Sequence, residues 1–174
     1  MTGRRGGRPP LLVEVAELLR AQGSRRRFQQ TVDLDGLHTT SAEVAGPLEV
    51  DVELEAQGSQ IIVDGAVRGR WRGECRRCLD EVVADLDAEV REVFEPRPVD
   101  GETYLLAGDE VDLEEMVRDA VLLTLPLAPL CAEECSGPDP DRFSPVGNAP
   151  ADDEAGGGSA PDPRWAALDQ LDFD

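Results

Sequence analysis

The residues of this chain best suited to chemistry are its four cysteines, which fall in two tight pairs: Cys75-Arg76-Arg77-Cys78 and Cys131-Ala132-Glu133-Glu134-Cys135. Each pair offers two sulfur ligands from a short stretch of backbone. Two such pairs brought together by a fold make the tetrahedron that zinc favours in closed, structural sites, so Cys75, Cys78, Cys131 and Cys135 are the candidate zinc ligands. Four thiolates around a dication carry a net double-negative charge. Arg72, Arg76 and Arg77 lie beside the first pair and would offset it, favouring thiolate over thiol. The same residues also fit two other descriptions, reduced thiols without a ligand and a redox-sensing dithiol, although no thioredoxin-like βαβ pattern surrounds Cys75.

Arginine clusters are the second constellation. Seven arginines stand against two glutamates in residues 1–30, and five against one between residues 66 and 78. Arg68, Arg70, Trp71, Arg72, Arg76 and Arg77 are the candidate RNA- or partner-binding residues, the arginines meeting phosphates and Trp71 stacking on a base. The alternative is a solvated strand face whose arginines pair with the chain's own acids. Across all 174 residues 37 acids face 17 basic residues, a formal charge of −20 with a pI near 4.3. Such a balance excludes a protein that coats nucleic acid with its whole surface, so any RNA contact must be local.

Catalytic patterns are poor. The one histidine, His38, sits in a loop beside Thr39 and Thr40 with no companion base or nucleophile. Gly156-Gly157-Gly158 lacks the strand before and helix after that a phosphate loop needs. Glu114 and Glu115 stand where a helix begins, a place that favours acids for electrostatic reasons alone. The expectation is a protein that binds and does not catalyse.

The elements that must position the cysteines are mostly strands. Leu48, Val50, Val52 and Leu54 alternate with acids between Pro47 and Gln57, the pattern of a sheet with one wet face. Gln60 to Trp71 is its expected partner. Glu81 to Glu95 alternates again through Val82, Ala84, Leu86, Ala88, Val90 and Phe94. The first cysteine pair thus falls at a turn between strands, as in a zinc-ribbon knuckle. Asp112 to Leu125 predicts a helix with Asp112 as its cap, an apolar face of Leu113, Met116, Val117, Ala120 and Val121, and Pro126 as its stop. The proline-rich Pro126 to Cys131 would then deliver the second pair to a fixed place. Near the start, Leu11, Val15, Leu18 and Leu19 fit one face of a short helix from Leu11 to Arg20, closed by Gly23. Residues 1–10 and the acidic stretch 136–160 have the composition of disorder. Asp162-Pro163-Arg164-Trp165-Ala166-Ala167-Leu168 predicts a short C-terminal helix whose Trp165 and Leu168 dock on the domain or on a partner. No apolar run reaches 18 residues, and the apolar stretch near the N-terminus is interrupted by Glu14 and Glu17, so a cytoplasmic location is expected.

The order of motifs resembles a known family. Gly-Glu-Cys-Arg-Arg-Cys-Leu (Gly73 to Leu79), Val-Asp-Leu-Glu-Glu-Met-Val (Val111 to Val117), Leu-Pro-Leu-Ala-Pro-Leu-Cys (Leu125 to Cys131), Cys135 and the terminal Asp-Pro-Arg-Trp-Ala-Ala-Leu follow an alternating sheet, as in the bacterial YceD family, the large ribosomal RNA subunit accumulation proteins. The resemblance runs from about residue 11 to 171. It implies a non-enzymatic role in making or retaining large-subunit (23S) rRNA, with the family's cysteine pattern falling on Cys75, Cys78, Cys131 and Cys135. Many relatives carry a second Cys-x-x-Cys after the position of Cys135, whereas this chain continues Ser136-Gly137-Pro138 with no further cysteine.

The expected fold is α+β: a curved antiparallel β-sheet or open barrel over roughly residues 25 to 106, one packed α-helix at 112–125 and short terminal helices. The expected organisation is a flexible segment at 1–10, a single domain at 11–135, an acidic tail at 136–160 and a short helix at 161–174. The expected function is support of large-subunit rRNA accumulation by binding a basic ribosomal protein or assembly intermediate, with zinc as cofactor and neither membrane nor small-molecule substrate. Direct RNA binding through the cluster at 68–77, and a thiol redox sensor, are the alternatives.

Overall fold

A computed structural model describes residues 9–138, which form one compact unit. The elements in chain order are β1 (Leu12–Glu14), α1 (Ala16–Arg20), β2 (Arg25–Val32), β3 (Ala42–Val44), β4 (Leu48–Gln57), β5 (Gln60–Glu74), β6 (Glu81–Glu95), β7 (Tyr104–Ala107), β8 (Glu110–Asp112) and α2 (Glu114–Thr124). The strands join in the order β1-β8-β7-β6-β5-β4-β2, with β3 paired to β5 beyond the end of β4. The sheet is curled into half a barrel, as the α+β expectation had it. The expected tail at 136–160 past Pro138, the helix at 161–174 and its Trp165 and Leu168 lie outside the described residues, as do residues 1–8.

Alternation written in the sequence sets which face is inside. Leu48, Val50, Val52, Leu54 and Ala56 of β4 are all buried, and Leu86, Ala88, Val90 and Phe94 of β6 face them from across β5. Strand β5 pairs with β4 from Gln57↔Gln60 to Glu49↔Arg68 and with β6 from Ile61↔Phe94 to Glu74↔Glu81, so it is the spine of the sheet. Gly65, Gly69 and Gly73 occur along β5 at every fourth residue, on the face that also carries Ile61, Val63 and Val67. A Cβ at Gly65 would lie 2.3 Å from the Asp51 carbonyl oxygen, and one at Gly73 2.3 Å from that of Ser41. The missing side chains let the neighbouring backbone fold in over the inner face, and the sheet curls there.

Helix α2 plugs the inside of the curl with Met116, Val117 and Val121, backed by Leu113 and Leu125. The Asp112 carboxylate accepts the Glu114 N–H at 3.0 Å, which fixes the start of the helix, and the chain turns extended at Leu125 before Pro126. On the outer face, arginines and acids form cross-strand pairs: Arg25 with Glu53 and Glu55, Arg27 with Asp51, Arg91 with Asp64. The Arg27 guanidinium, by hydrogen bond and charge, holds the Asp51 carboxyl below its ordinary range.

Three details differ from the sequence expectation. Leu12–Glu14 is a strand on β8, so the first helix is only Ala16–Arg20; Leu11, Val13 and Val15 are all buried, a period of two that overlaps the helical spacing of Leu11, Val15 and Leu18. The sheet reaches beyond residues 25–106, because the three-residue strands β1 and β8 are too short to show a period. One junction is parallel: Phe94↔Tyr104 and Glu95↔Leu105.

Gly65→Ala is expected to destabilise the fold by about 2 kcal/mol, since backbone on a neighbouring strand must move. Gly101→Asn, at φ 74 with open space around it, should cost less than about 1 kcal/mol because Asn tolerates that conformation. Urea unfolding of the two variants measures both; equal costs would contradict the packing role of Gly65.

Candidate metal centre

The first cysteine pair sits on the turn that joins the two longest strands. The Cys75 N–H donates to the Asp80 carbonyl and the Leu79 N–H to the Cys75 carbonyl, each at 2.9 Å. Leu79 closes the turn at φ 65, the one positive φ on a non-glycine side chain among the described residues. That conformation usually calls for glycine, and for leucine it stores roughly 1 kcal/mol. The second pair arrives from α2 along the proline segment. The Arg76 N–H donates to the Pro129 carbonyl at 3.0 Å, and a turn with Cys135 N–H on the Ala132 carbonyl at 3.1 Å folds the second pair back on itself. Arg77 completes the joint: its Nη1 donates to the backbone carbonyls of Glu133 at 3.2 Å and Cys135 at 2.8 Å.

The four sulfurs converge. All lie within 4.8 Å of one another, with Cys75 Sγ to Cys135 Sγ at 3.8 Å and Cys78 Sγ to Cys131 Sγ at 3.6 Å, and all four thiols are free. A tetrahedron with Zn–S bonds of about 2.3 Å has edges of about 3.8 Å, so the cluster has the size of a four-thiolate zinc site. Backbone N–H groups of Cys78, Cys131 and Arg77 pull the Cys75 thiol down to about 6, supplying the hydrogen bonds to sulfur that metal-bound thiolates receive. For Cys78 the Asp80 amide favours thiolate, but burial and hydrogen bonds with the Cys75 and Cys131 side chains outweigh it and raise the thiol. Cys131 is also raised, chiefly by its hydrogen bond with Cys135. Thiols this close cannot all ionise without a counter-charge, which a dication at their centre would supply. The donor set therefore fits zinc, and four protein ligands leave no open position for catalysis.

The candidate RNA- or partner-binding residues do not form one surface. Arg68, Arg70 and Arg72 alternate on the exposed face of β5, and each faces an acid: Asp87 at 3.4 Å, Asp85 at 3.8 Å and Glu43 at 2.6 Å. Trp71 points to the opposite face, half-buried against the core. Arg77 is committed to the cysteine loop, and Arg76 is exposed beside the knuckle. His38 is exposed and pairs through its backbone with Glu43; both line a cavity of about 640 Å³ whose wall also includes Cys75 of the knuckle. Two contributors were not expected from sequence as parts of the joint. Leu79 carries no signal of its left-handed backbone, whereas Arg77, adjacent to Cys78, was expected to offset charge and instead ties down carbonyls.

Removing that tie should loosen the metal without unfolding the domain. Arg77→Ala is expected to weaken zinc binding about 10- to 100-fold, the usual cost of losing a partner that orients ligands, while Arg76→Ala leaves it within about 3-fold. Competition with a chromophoric chelator measures both, and an unchanged Arg77→Ala affinity would contradict the role given to that side chain.

A family model described as "Large ribosomal RNA subunit accumulation protein YceD" matches residues 63–172. An uncharacterized protein of Mycobacterium tuberculosis strain H37Rv, Rv2926c, is 28% identical over 180 aligned residues, covering 98% of this chain and 85% of the relative. The uncharacterized protein YlbN of Bacillus subtilis is 23% identical over 151 residues, covering 83% of this chain and 86% of YlbN. ML1660 of Mycobacterium leprae, also uncharacterized, is 27% identical over 139 residues, covering 74% and 64%. No solved structure matches. The family match spans both cysteine pairs and the helix between them, and on that match the chain belongs to the YceD family of large ribosomal RNA subunit accumulation proteins.

Proposed function

We propose that this protein supports accumulation of large-subunit rRNA without catalysis, in the cytoplasm, by holding a basic ribosomal protein or assembly intermediate while the subunit is built. Zinc held by Cys75, Cys78, Cys131 and Cys135 has a structural part in this reading: it supplies no chemistry to a substrate and locks the knuckle to the segment that follows α2.

The observation that carries the choice of a basic protein over naked RNA is the pairing of the arginines. Arg25, Arg27, Arg68, Arg70 and Arg72 each meet an acid on a neighbouring strand. Exposed pairs of this kind add little stability, yet they cancel the positive charge that phosphate contact requires. The acids remain in excess, 37 to 17 over the chain. A net negative surface attracts a basic partner at long range, speeds encounter and repels the phosphate backbone.

The test is recovery of the tagged full chain from its own cells at about 50 mM and about 500 mM salt, concentrations at which screening differs several-fold in range. Large-subunit ribosomal proteins should be recovered at low salt, lost at high salt and retained after ribonuclease treatment. Recovery of rRNA that survives removal of those proteins, or binding indifferent to salt, would overturn the proposal.

A further inference from the structure

Away from the sulfur cluster, an apolar groove of about 530 Å³ runs between β7 and α2, floored by Phe94, Tyr104, Leu105 and Leu122. It continues into a second depression of about 690 Å³ that shares Tyr104, Leu105 and Leu122 and adds Leu123. Leu105 is 54% exposed and Leu123 88%, large apolar surfaces on strand and helix that nothing in the described residues covers. The rim is acidic: Glu92, Glu102, Glu115 and Asp119 line the second depression, and Asp112 and Glu114 the first. The one cation among the lining residues of the two depressions is Arg118, in the first, and it is spent on Glu114 at 2.9 Å and on the Asp35 carbonyl at 2.8 Å. Tyr104 is fixed by donating to Asp119 at 3.0 Å and stacking on Phe94 at 5.2 Å, so the floor is preformed.

An apolar floor with an acidic rim selects its occupant. We propose that this groove takes a basic amphipathic helix of a partner protein, with leucine-like residues spaced i, i+3, i+4 and i+7 on the floor and arginine or lysine side chains against the rim. The length available along α2 from Glu115 to Leu123 is about 12 Å, enough for two turns of such a helix. RNA is repelled by the rim. The chain's own residues from 139 onward hold nine acids against two arginines, a charge opposite to the one this rim selects. This inference rests on the basic-partner reading above and locates the contact, which that reading leaves open.

The experiment uses a synthetic 18-residue helical peptide of Leu, Lys and Ala with leucines on one face. Its controls are a scrambled peptide of equal charge with leucines dispersed around the helix, a version with Glu in place of Lys, and a short RNA duplex. Titration calorimetry on the full chain should show the basic amphipathic peptide binding at least tenfold tighter than the scrambled one, with the acidic peptide and RNA not bound. The exposed substitutions Leu105→Asp and Leu123→Asp should each weaken it at least tenfold while circular dichroism and Tm stay unchanged. Equal binding of the scrambled peptide, or indifference to both substitutions, would overturn the groove. A photo-crosslinker at position 123 in cells should mark lysine- and arginine-rich helical segments; crosslinks to RNA or to residues beyond 138 of the same chain would also overturn it. If ribosomal proteins are recovered from cells equally by Leu105→Asp, Leu123→Asp and the parent chain, the groove fails and the basic-partner reading stands. If none is recovered by the parent chain, that reading fails first.

Discussion

The joint between the β5–β6 turn and the segment after α2 is the constraint on which this end of the molecule depends. Cys75 meets Cys135 and Cys78 meets Cys131 across sequence separations of 60 and 53 residues. Among the described residues, the hydrogen bonds that join these segments apart from the sulfurs are one backbone bond from Arg76 to Pro129 and the two that Arg77 donates. A few hydrogen bonds of about 1 kcal/mol each are a weak fastening for a partly exposed joint. A metal ion held by the four thiolates would change that balance, because its binding free energy becomes folding free energy. It would also settle the charge problem of four crowded thiols, which otherwise push one another toward the protonated form.

The rest of the sheet follows from where side chains are missing and where charges meet. Inward glycines on β5 let the backbone of Asp51 and Ser41 close over it, and the curl so produced is deep enough for α2 to sit within. Curling leaves an outer face on which arginines of β2 and β5 stand beside acids of β3, β4 and β6. Those contacts neutralise the cations locally and leave the net charge negative. The same helix that fills the curl turns Leu122 and Leu123 outward over an acidic rim, so one element serves both the core and the outer groove.

Much of this was legible in the residues. The strands β4 and β6 follow their period of two closely, the helix after Asp112 begins and ends where its cap and proline place it, and the two cysteine spacings pointed to one site. Other features were not legible for physical reasons. Leu11 to Leu19 fits both a helical and an alternating pattern, and only pairing with β8 decides it for Leu12–Glu14. Arg68, Arg70 and Arg72 look like a cationic patch in sequence because their acids, Asp87, Asp85 and Glu43, come from other strands. Nothing in the letter sequence announces that Leu79 takes the left-handed backbone usually given to glycine, or that Arg77 donates to carbonyls of the second cysteine segment.

The most direct measurement on the central claim is native mass spectrometry of the tag-free full chain purified from its own cells, combined with thermal unfolding with and without a chelator. The account predicts one zinc per chain, bound with loss of thiol protons, and a Tm that falls by about 10 °C or more when the metal is removed. A metal-free chain whose Tm is unmoved by added zinc would contradict it.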